Sequence, residues 1–199
     1  MGIKQATYGV NTLINTPLWN LIQEKINSDN LQWQDGLVDS GLGRIHSIDN
    51  PKKIVRKSRI AWLHDDYLCE QLLYSINLFN NINWKYDLEG CDVIQYGTYS
   101  DGGYYDWHVD KELEVPNING RYLMRKLSIT IWLNDPDEYE GGEFDIEVKG
   151  PDKEIRFNTL KLSKGSIVIF PSSTWHRVRP VTSGVRKSLV TWFRGPPFR

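Results

Sequence analysis

The chain has 199 residues, 40% hydrophobic and 25% charged, with 24 Lys+Arg against 25 Asp+Glu and a formal net charge of −1. That balance is ordinary for a globular protein with one full core, and the whole of 1–199 is read as a single domain. It disfavours a nucleic-acid partner held by bulk charge, and the lack of any apolar run near ~18 residues excludes a membrane-spanning helix.

The N-terminus carries no basic stretch followed by an apolar one, so no secretory signal is read and a cytoplasmic location is expected. Cys69 and Cys91 are the only cysteines. Two thiols make no dense framework, and they are expected to be reduced core residues.

In chain order, Thr16 followed by Pro17 marks a helix start. Leu18, Leu21, Ile22 and Ile26 then recur at helical spacing, which predicts a helix with one core-facing side. Gly36 to Pro51 is rich in Gly, Asp and Ser and reads as a long loop, with His46 as a solvated histidine. Arg59–Leu63 predicts a short strand. Asp65 and Asp66 cap a second helix running to about Asn80, with Leu68, Leu72, Ile76 and Phe79 on its apolar side. His64, just before that cap, has no ligand-type neighbour at useful spacing. Residues 1–90 are thus read as helical support and an entrance loop.

From there on, strand signals follow one another without helices: Cys91–Tyr96, Tyr104–Asp110, Arg125–Leu133, Glu143–Val148, Ile155–Leu162, Ser166–Phe170 and Ser188–Phe193. Asn134–Asp137 and Glu140–Gly142 read as turns. Short, evenly spaced strands predict a mainly β fold, an antiparallel jelly roll or barrel over 91–199. Within it, Leu127, Ile129, Ile131 and Leu133 alternate with Ser128, Thr130 and Trp132, so one strand shows two distinct faces.

The chemistry centres on His108 and Asp110. In a strand these two share a face, roughly 6.7 Å apart along the backbone. An isolated His-x-Asp is weak, since a surface hydrogen-bonded pair looks the same. His176, at the end of the apolar run Ile167–Phe170 and a turn, supplies a second imidazole. Two His and one carboxylate on one face of an octahedral metal leave three open positions, the pattern of non-haem Fe(II) oxygenases. Arg186, ten positions after His176, places a cation where an anionic cosubstrate would suit.

These residues, together with Tyr96, Arg125 to Ser128, Gly141-Gly142-Glu143, Pro171-Ser172, His176-Arg177-Val178, Pro180-Val181, Gly184-Val185-Arg186 and Trp192, resemble the 2-oxoglutarate and Fe(II)-dependent dioxygenases. The likeness is to their prolyl 4-hydroxylase-like branch, which includes the PKHD-type hydroxylases, and it covers about the C-terminal half. It implies a double-stranded β-helix with N-terminal helices packed on one sheet, and the cofactors Fe(II), 2-oxoglutarate and O2, with ascorbate as a possible reductant. His108, Asp110 and His176 then become the iron ligands. Arg186 takes the distal carboxylate of 2-oxoglutarate through its planar fork, and Tyr96 adds a hydroxyl to it. Trp192 matches an aromatic near the cosubstrate. Trp132 matches a tyrosine that helps hold 2-oxoglutarate in some members, although an indole donates and cannot accept.

Arg125 and Tyr105 are the candidate substrate contacts, with a solvated strand-end cation as the alternative reading of Arg125. The resemblance implies hydroxylation of a prolyl residue in a peptide or protein. A free amino acid or small metabolite is the runner-up substrate. Nucleic-acid demethylation and a non-enzymatic cupin-like module stand further off, the first because Arg186 and Arg194 are eight apart where that branch carries arginines six apart. The sequence assigns no oligomeric state.

Overall fold

A computed structural model describes residues 7–27, 30–36, 38–39, 54–110, 115–116, 120, 122–148 and 156–198. The Thr16 hydroxyl accepts the Trp19 N–H at 3.1 Å, and Pro17 opens the helix Pro17–Ile26. This satisfies one of the donors that a helix start leaves open. Trp19 and Ile22 are its buried residues. The second helix, Asp66–Asn83, starts where the Asp65 carboxylate accepts the Leu68 N–H at 2.8 Å. Asp65 also pairs with Lys25 at 2.9 Å, which ties the two helices together. Leu68, Leu72 and Ile76 point into the core as their spacing predicts, each contributing about 1.5–3 kcal/mol by burial.

Two antiparallel sheets face one another. The larger runs in the order Gly9–Thr12, Ser166–Pro171, Tyr122–Trp132, Arg186–Gly195, Ile94–Tyr99, Arg59–Leu63, Trp33–Asp35. The smaller runs Phe157–Leu160, Phe144–Glu147, His176–Val178, Tyr104–His108, Ile54–Lys57, Val38–Asp39. This is the expected jelly roll.

The long strand Tyr122–Trp132 decides where each layer lies. Leu127, Ile129, Ile131 and Leu133 pack with Trp19, Ile22, Leu68, Leu72 and Ile76 under the helices. Its other face looks between the sheets, where Trp132, Val168 and Phe170 meet Phe144, Ile146 and Val178. Both faces are therefore covered, and the Ser128/Thr130/Trp132 face lines the interior.

Several expectations need correction. The strand Tyr104–His108 stops before Asp110, so the carboxylate comes from the following segment and not from the strand's own alternation. Glu140-Gly141, read as part of a turn, lies in the strand Tyr139–Gly141, paired with Val181–Gly184. Short strands at Gly9–Thr12, Trp33–Asp35, Ile54–Lys57 and His176–Val178 escaped notice because three or four residues carry too little periodicity to stand out. Of the Gly36–Pro51 loop, Val38–Asp39 is a strand; His46 and the rest of its span from 40 to 51 lie outside the described residues. His64 is exposed.

The cysteines are also corrected. Cys69 and Cys91 form a disulfide, with Cα atoms 6.0 Å apart, a separation that a disulfide spans. The second helix lies over the short strand Gly90–Cys91, and only that packing brings the two together. Reduced thiols therefore no longer support a cytoplasmic location.

Candidate active site

His108 ends its strand directly opposite His176 on the neighbouring strand, and the ring centroids are 4.1 Å apart. His108 Nδ1 lies 2.8 Å from the Asp106 carbonyl and His176 Nδ1 2.9 Å from that of Thr174. With each Nδ1–H donating to its carbonyl, both Nε2 atoms are left as lone-pair donors facing inward. Asp110 completes the set, its two oxygens 3.6 Å from His108 Nε2 and 3.5 Å from His176 Nε2. The three ligand atoms lie within 4.8 Å of one another.

Electrostatics suit a cation there. Burial, with the neighbouring His176, pushes the His108 imidazole down to about 3, so it is neutral at ordinary pH. For Asp110, burial alone would favour the protonated form. His176, His108, a Ser128 hydrogen bond and Arg125 outweigh it and hold the carboxyl below its usual value. Two imidazoles and one carboxylate on one side of a point fit a divalent iron with open positions. Ser128 is in turn bonded to Ser172 at 2.9 Å.

Deeper between the sheets lies Arg186, only 1% exposed. Its Nη1 donates to Ser188 at 3.1 Å, while Nε and Nη2 have no partner. Burial lowers its pKa. Leaving a buried guanidinium without an anion costs several kcal/mol, and the residue has no carboxylate partner among the described residues. Among the described residues, Arg177 and Arg179 are committed to Asp145 at 2.7 and 2.9 Å and Arg194 to Asp92. The unsatisfied fork fits a ligand carboxylate. Trp132, whose ring centre lies 5.2 Å from the same guanidinium, within cation–π range, also has a buried Nε1 without a well-formed hydrogen bond.

The structure separates the remaining candidates. Tyr96 belongs to the core under the helices, edge-on to Trp33 at 4.9 Å, so it does not reach the Arg186 carboxylate site. Tyr99, three residues on and therefore on the opposite face, is the tyrosine that lies inside, its ring 5.6 Å from the Arg186 guanidinium. Trp192 shares the inward face with Arg186 but sits six residues along the same strand, roughly 20 Å away. It lies instead under Arg125, whose guanidinium is 3.8 Å from its ring.

Arg125 is held by Asp92 at 2.8 Å and reaches the Asp110 carbonyl at 3.4 Å. It is a fixed, half-buried group beside a metal ligand, not a solvated cation. Tyr105 stacks on His108 at 3.5 Å. Its phenol is pushed up by burial, and the Arg56 guanidinium lies 4.9 Å from its ring centre.

Arg56 was not singled out by the sequence. It is buried, bonded to Ser58 at 2.8 Å and to Gln95 across the barrel at 2.6 Å. Tyr139 was missed too. Nothing local marks either residue, because each gains its meaning from a partner on a distant strand.

Comparison with known proteins decides the family. The sequence signature described as the 2OG-Fe(II) oxygenase superfamily matches residues 93–194. The chain belongs to the 2OG-Fe(II) oxygenase superfamily. Enzymes of that superfamily use Fe(II), 2-oxoglutarate and O2, and the His108/Asp110/His176 cluster is where this oxygenase has its ligand set. A PKHD-type hydroxylase from Psychrobacter sp. (strain PRwf-1) is 28% identical over 186 residues, 92% of this chain and 67% of that protein. Another, from Stenotrophomonas maltophilia (strain R551-3), is 41% identical over 99 residues, 49% of this chain and 41% of the relative. The crystal structure of a Pseudomonas putida prolyl-4-hydroxylase superposes with a TM-score of 0.62 at 18% identity, covering 95% of this chain and 93% of that one. The oxygenase thus shares the prolyl hydroxylase fold and spans well under half of some relatives it matches.

Proposed function

We propose that this oxygenase hydroxylates a C–H bond of a prolyl residue in a peptide or protein. Oxygen is consumed and 2-oxoglutarate is converted to succinate and CO2. The observation that carries the reading is the meeting, inside one barrel, of the His108/Asp110/His176 cluster with the unpaired Arg186 fork. The PKHD-type hydroxylase relatives and the prolyl-4-hydroxylase fold support the choice of proline.

Iron, 2-oxoglutarate and O2 together supply an oxidant able to take a hydrogen atom from carbon and return a hydroxyl. The chain's own residues do the rest. Ser128 and the two backbone carbonyls fix the ligand orientations. Arg186 orients the cosubstrate through its far end, and the apolar cluster of Trp132, Phe144 and Phe170 keeps that end dry. Tyr105, stacked on His108, and Arg125, which reaches the Asp110 carbonyl and lies over Trp192, border the ligand cluster, where a peptide would be held with its reacting carbon towards the metal.

The test is a screen of proline-containing peptides with Fe(II) and 2-oxoglutarate, read by mass spectrometry for gain of one oxygen atom and by succinate release. Oxygen on prolyl residues, in step with succinate, is the expected result. Turnover of 2-oxoglutarate stimulated by free amino acids and by no peptide would move the substrate to a small metabolite.

A further inference from the structure

Four buried polar atoms meet in one place, close enough to interact with one another but with no well-formed hydrogen bond: Arg186 Nε and Nη2, Trp132 Nε1 and Tyr139 Oη. The two guanidinium nitrogens are adjacent donors on one edge, the edge that grips both oxygens of a carboxylate side-on. Arg186 Nη1 is already used by Ser188, so this edge is what the residue has left to offer.

Tyr139 is brought there by the strand Tyr139–Gly141, which pairs with Val181–Gly184 just before Arg186. It is 3% exposed. Lys161 holds it from behind, bonded to its carbonyl at 3.0 Å, with the ammonium 4.7 Å from the ring centre. Gly142 makes the close approach possible: a Cβ there would lie 3.0 Å from Arg186 Cδ and 3.2 Å from Tyr139 Cε2. Both side chains therefore flank one point that only a glycine leaves clear, and the φ of +65° at Gly142 favours glycine as well. Burial raises the Tyr139 pKa, opposed by the Arg186 charge and by Trp132 and Arg186 N–H groups directed at the phenol oxygen, so the phenol keeps its hydrogen and has it free to donate to a ligand.

A carboxylate accepts about four hydrogen bonds, and these four donors are enough to fill it. We infer that Tyr139 donates a hydrogen bond to the far carboxylate of 2-oxoglutarate and, with Arg186 and Trp132, makes the site select a 2-oxo diacid over a 2-oxo monoacid. This rests on the cosubstrate reading given above and adds to it a residue with a defined selective role.

The experiment compares two ligands of equal chain length, 2-oxoglutarate and 2-oxovalerate, which differ by the far carboxylate. Binding to the full chain loaded with Mn(II) is measured by calorimetry for the wild type, Tyr139→Phe and Tyr139→Met. In both variants affinity for 2-oxoglutarate should fall about tenfold to a hundredfold, as when a hydrogen bond to a charged group is lost. Affinity for 2-oxovalerate should change less than about twofold, since it presents nothing to the phenol. The preference for the diacid therefore narrows. An equal fall for both ligands would make Tyr139 a packing residue, and an unchanged preference would remove it from the site; either overturns the inference while leaving 2-oxoglutarate as cosubstrate. Failure of the wild type to bind 2-oxoglutarate at all would overturn the cosubstrate reading itself. Methionine keeps much of the volume without the hydroxyl, so agreement between the two variants separates the lost hydrogen bond from any folding defect of one of them.

Discussion

His108 and His176 stand in register on adjacent antiparallel strands, 68 residues apart in sequence yet with ring centroids 4.1 Å apart. Each is pinned by its own Nδ1 to a backbone carbonyl two residues earlier. The pair is thus preorganised by main chain alone, and Asp110 is the member that brings charge.

Removing that charge tests the metal site. Asp110→Ala removes a buried carboxylate without touching the packed core, so the metal-free protein should melt within a few degrees of the wild type. Affinity for Mn(II), followed by its electron paramagnetic resonance signal, should fall at least about 100-fold. Stoichiometric binding retained at wild-type affinity would take Asp110 out of the ligand set.

Arg186 pits function against stability. Arg186→Ala should weaken 2-oxoglutarate binding by about 2–5 kcal/mol, roughly 30-fold to several thousand-fold, with Arg186→Lys intermediate because charge remains and the fork is lost. Arg186→Met should abolish binding and yet raise the melting temperature of the ligand-free protein, since a buried unpaired cation is replaced by a hydrophobe. Calorimetry and thermal melts of the three variants check both halves. A Met variant less stable than the wild type would show that the cation is compensated in the free protein.

The cap at Asp65 gives a pH dependence away from the active site. Its carboxyl is held below the usual value chiefly by the Leu68 N–H and then by Lys25. A depressed folded pKa means that this stabilisation is fully present above the unfolded value, near 4, and is lost as pH falls through the lower folded value. Asp65→Ala should therefore cost about 1 kcal/mol at pH 7, roughly 2–4 °C. The gap between variant and wild type should shrink as pH falls below about 4. A gap that stays constant there would show that the ionised form matters little.

The Cys69–Cys91 bridge closes a loop between residues 22 apart in sequence. Loop-closure entropy puts its contribution at about 2–4 kcal/mol. Denaturant unfolding with and without dithiothreitol, and of the Cys69→Ser/Cys91→Ser double variant, should show that loss in both cases. Identical midpoints would mean that the bridge adds nothing to stability.

By itself the sequence determined the two helices and the β architecture, and it singled out His108, Asp110 and His176, which the fold brings together, and Arg186, which it buries. Caps and helical spacing are local signals, and His108, Asp110, His176 and Arg186 are residue types whose spacing keeps its meaning without knowledge of the partner strands. Tertiary structure decided which neighbours look into the barrel. Tyr96 and Tyr99 lie on opposite faces of a strand buried on both sides, so alternation offered two equal choices and the helices settled them. Arg125 has the same parity as Leu127 and by alternation would point to the helices. An irregularity in pairing between Arg125 and Leu127 slips the register, placing Arg125 opposite Arg194 and against Trp192 on the site face. Arg56, Tyr139 and the Cys69–Cys91 pair depend on contacts between distant segments. Period and capping act over a few residues, whereas a partner across a sheet is fixed by the packing of the whole chain, and no local pattern encodes it.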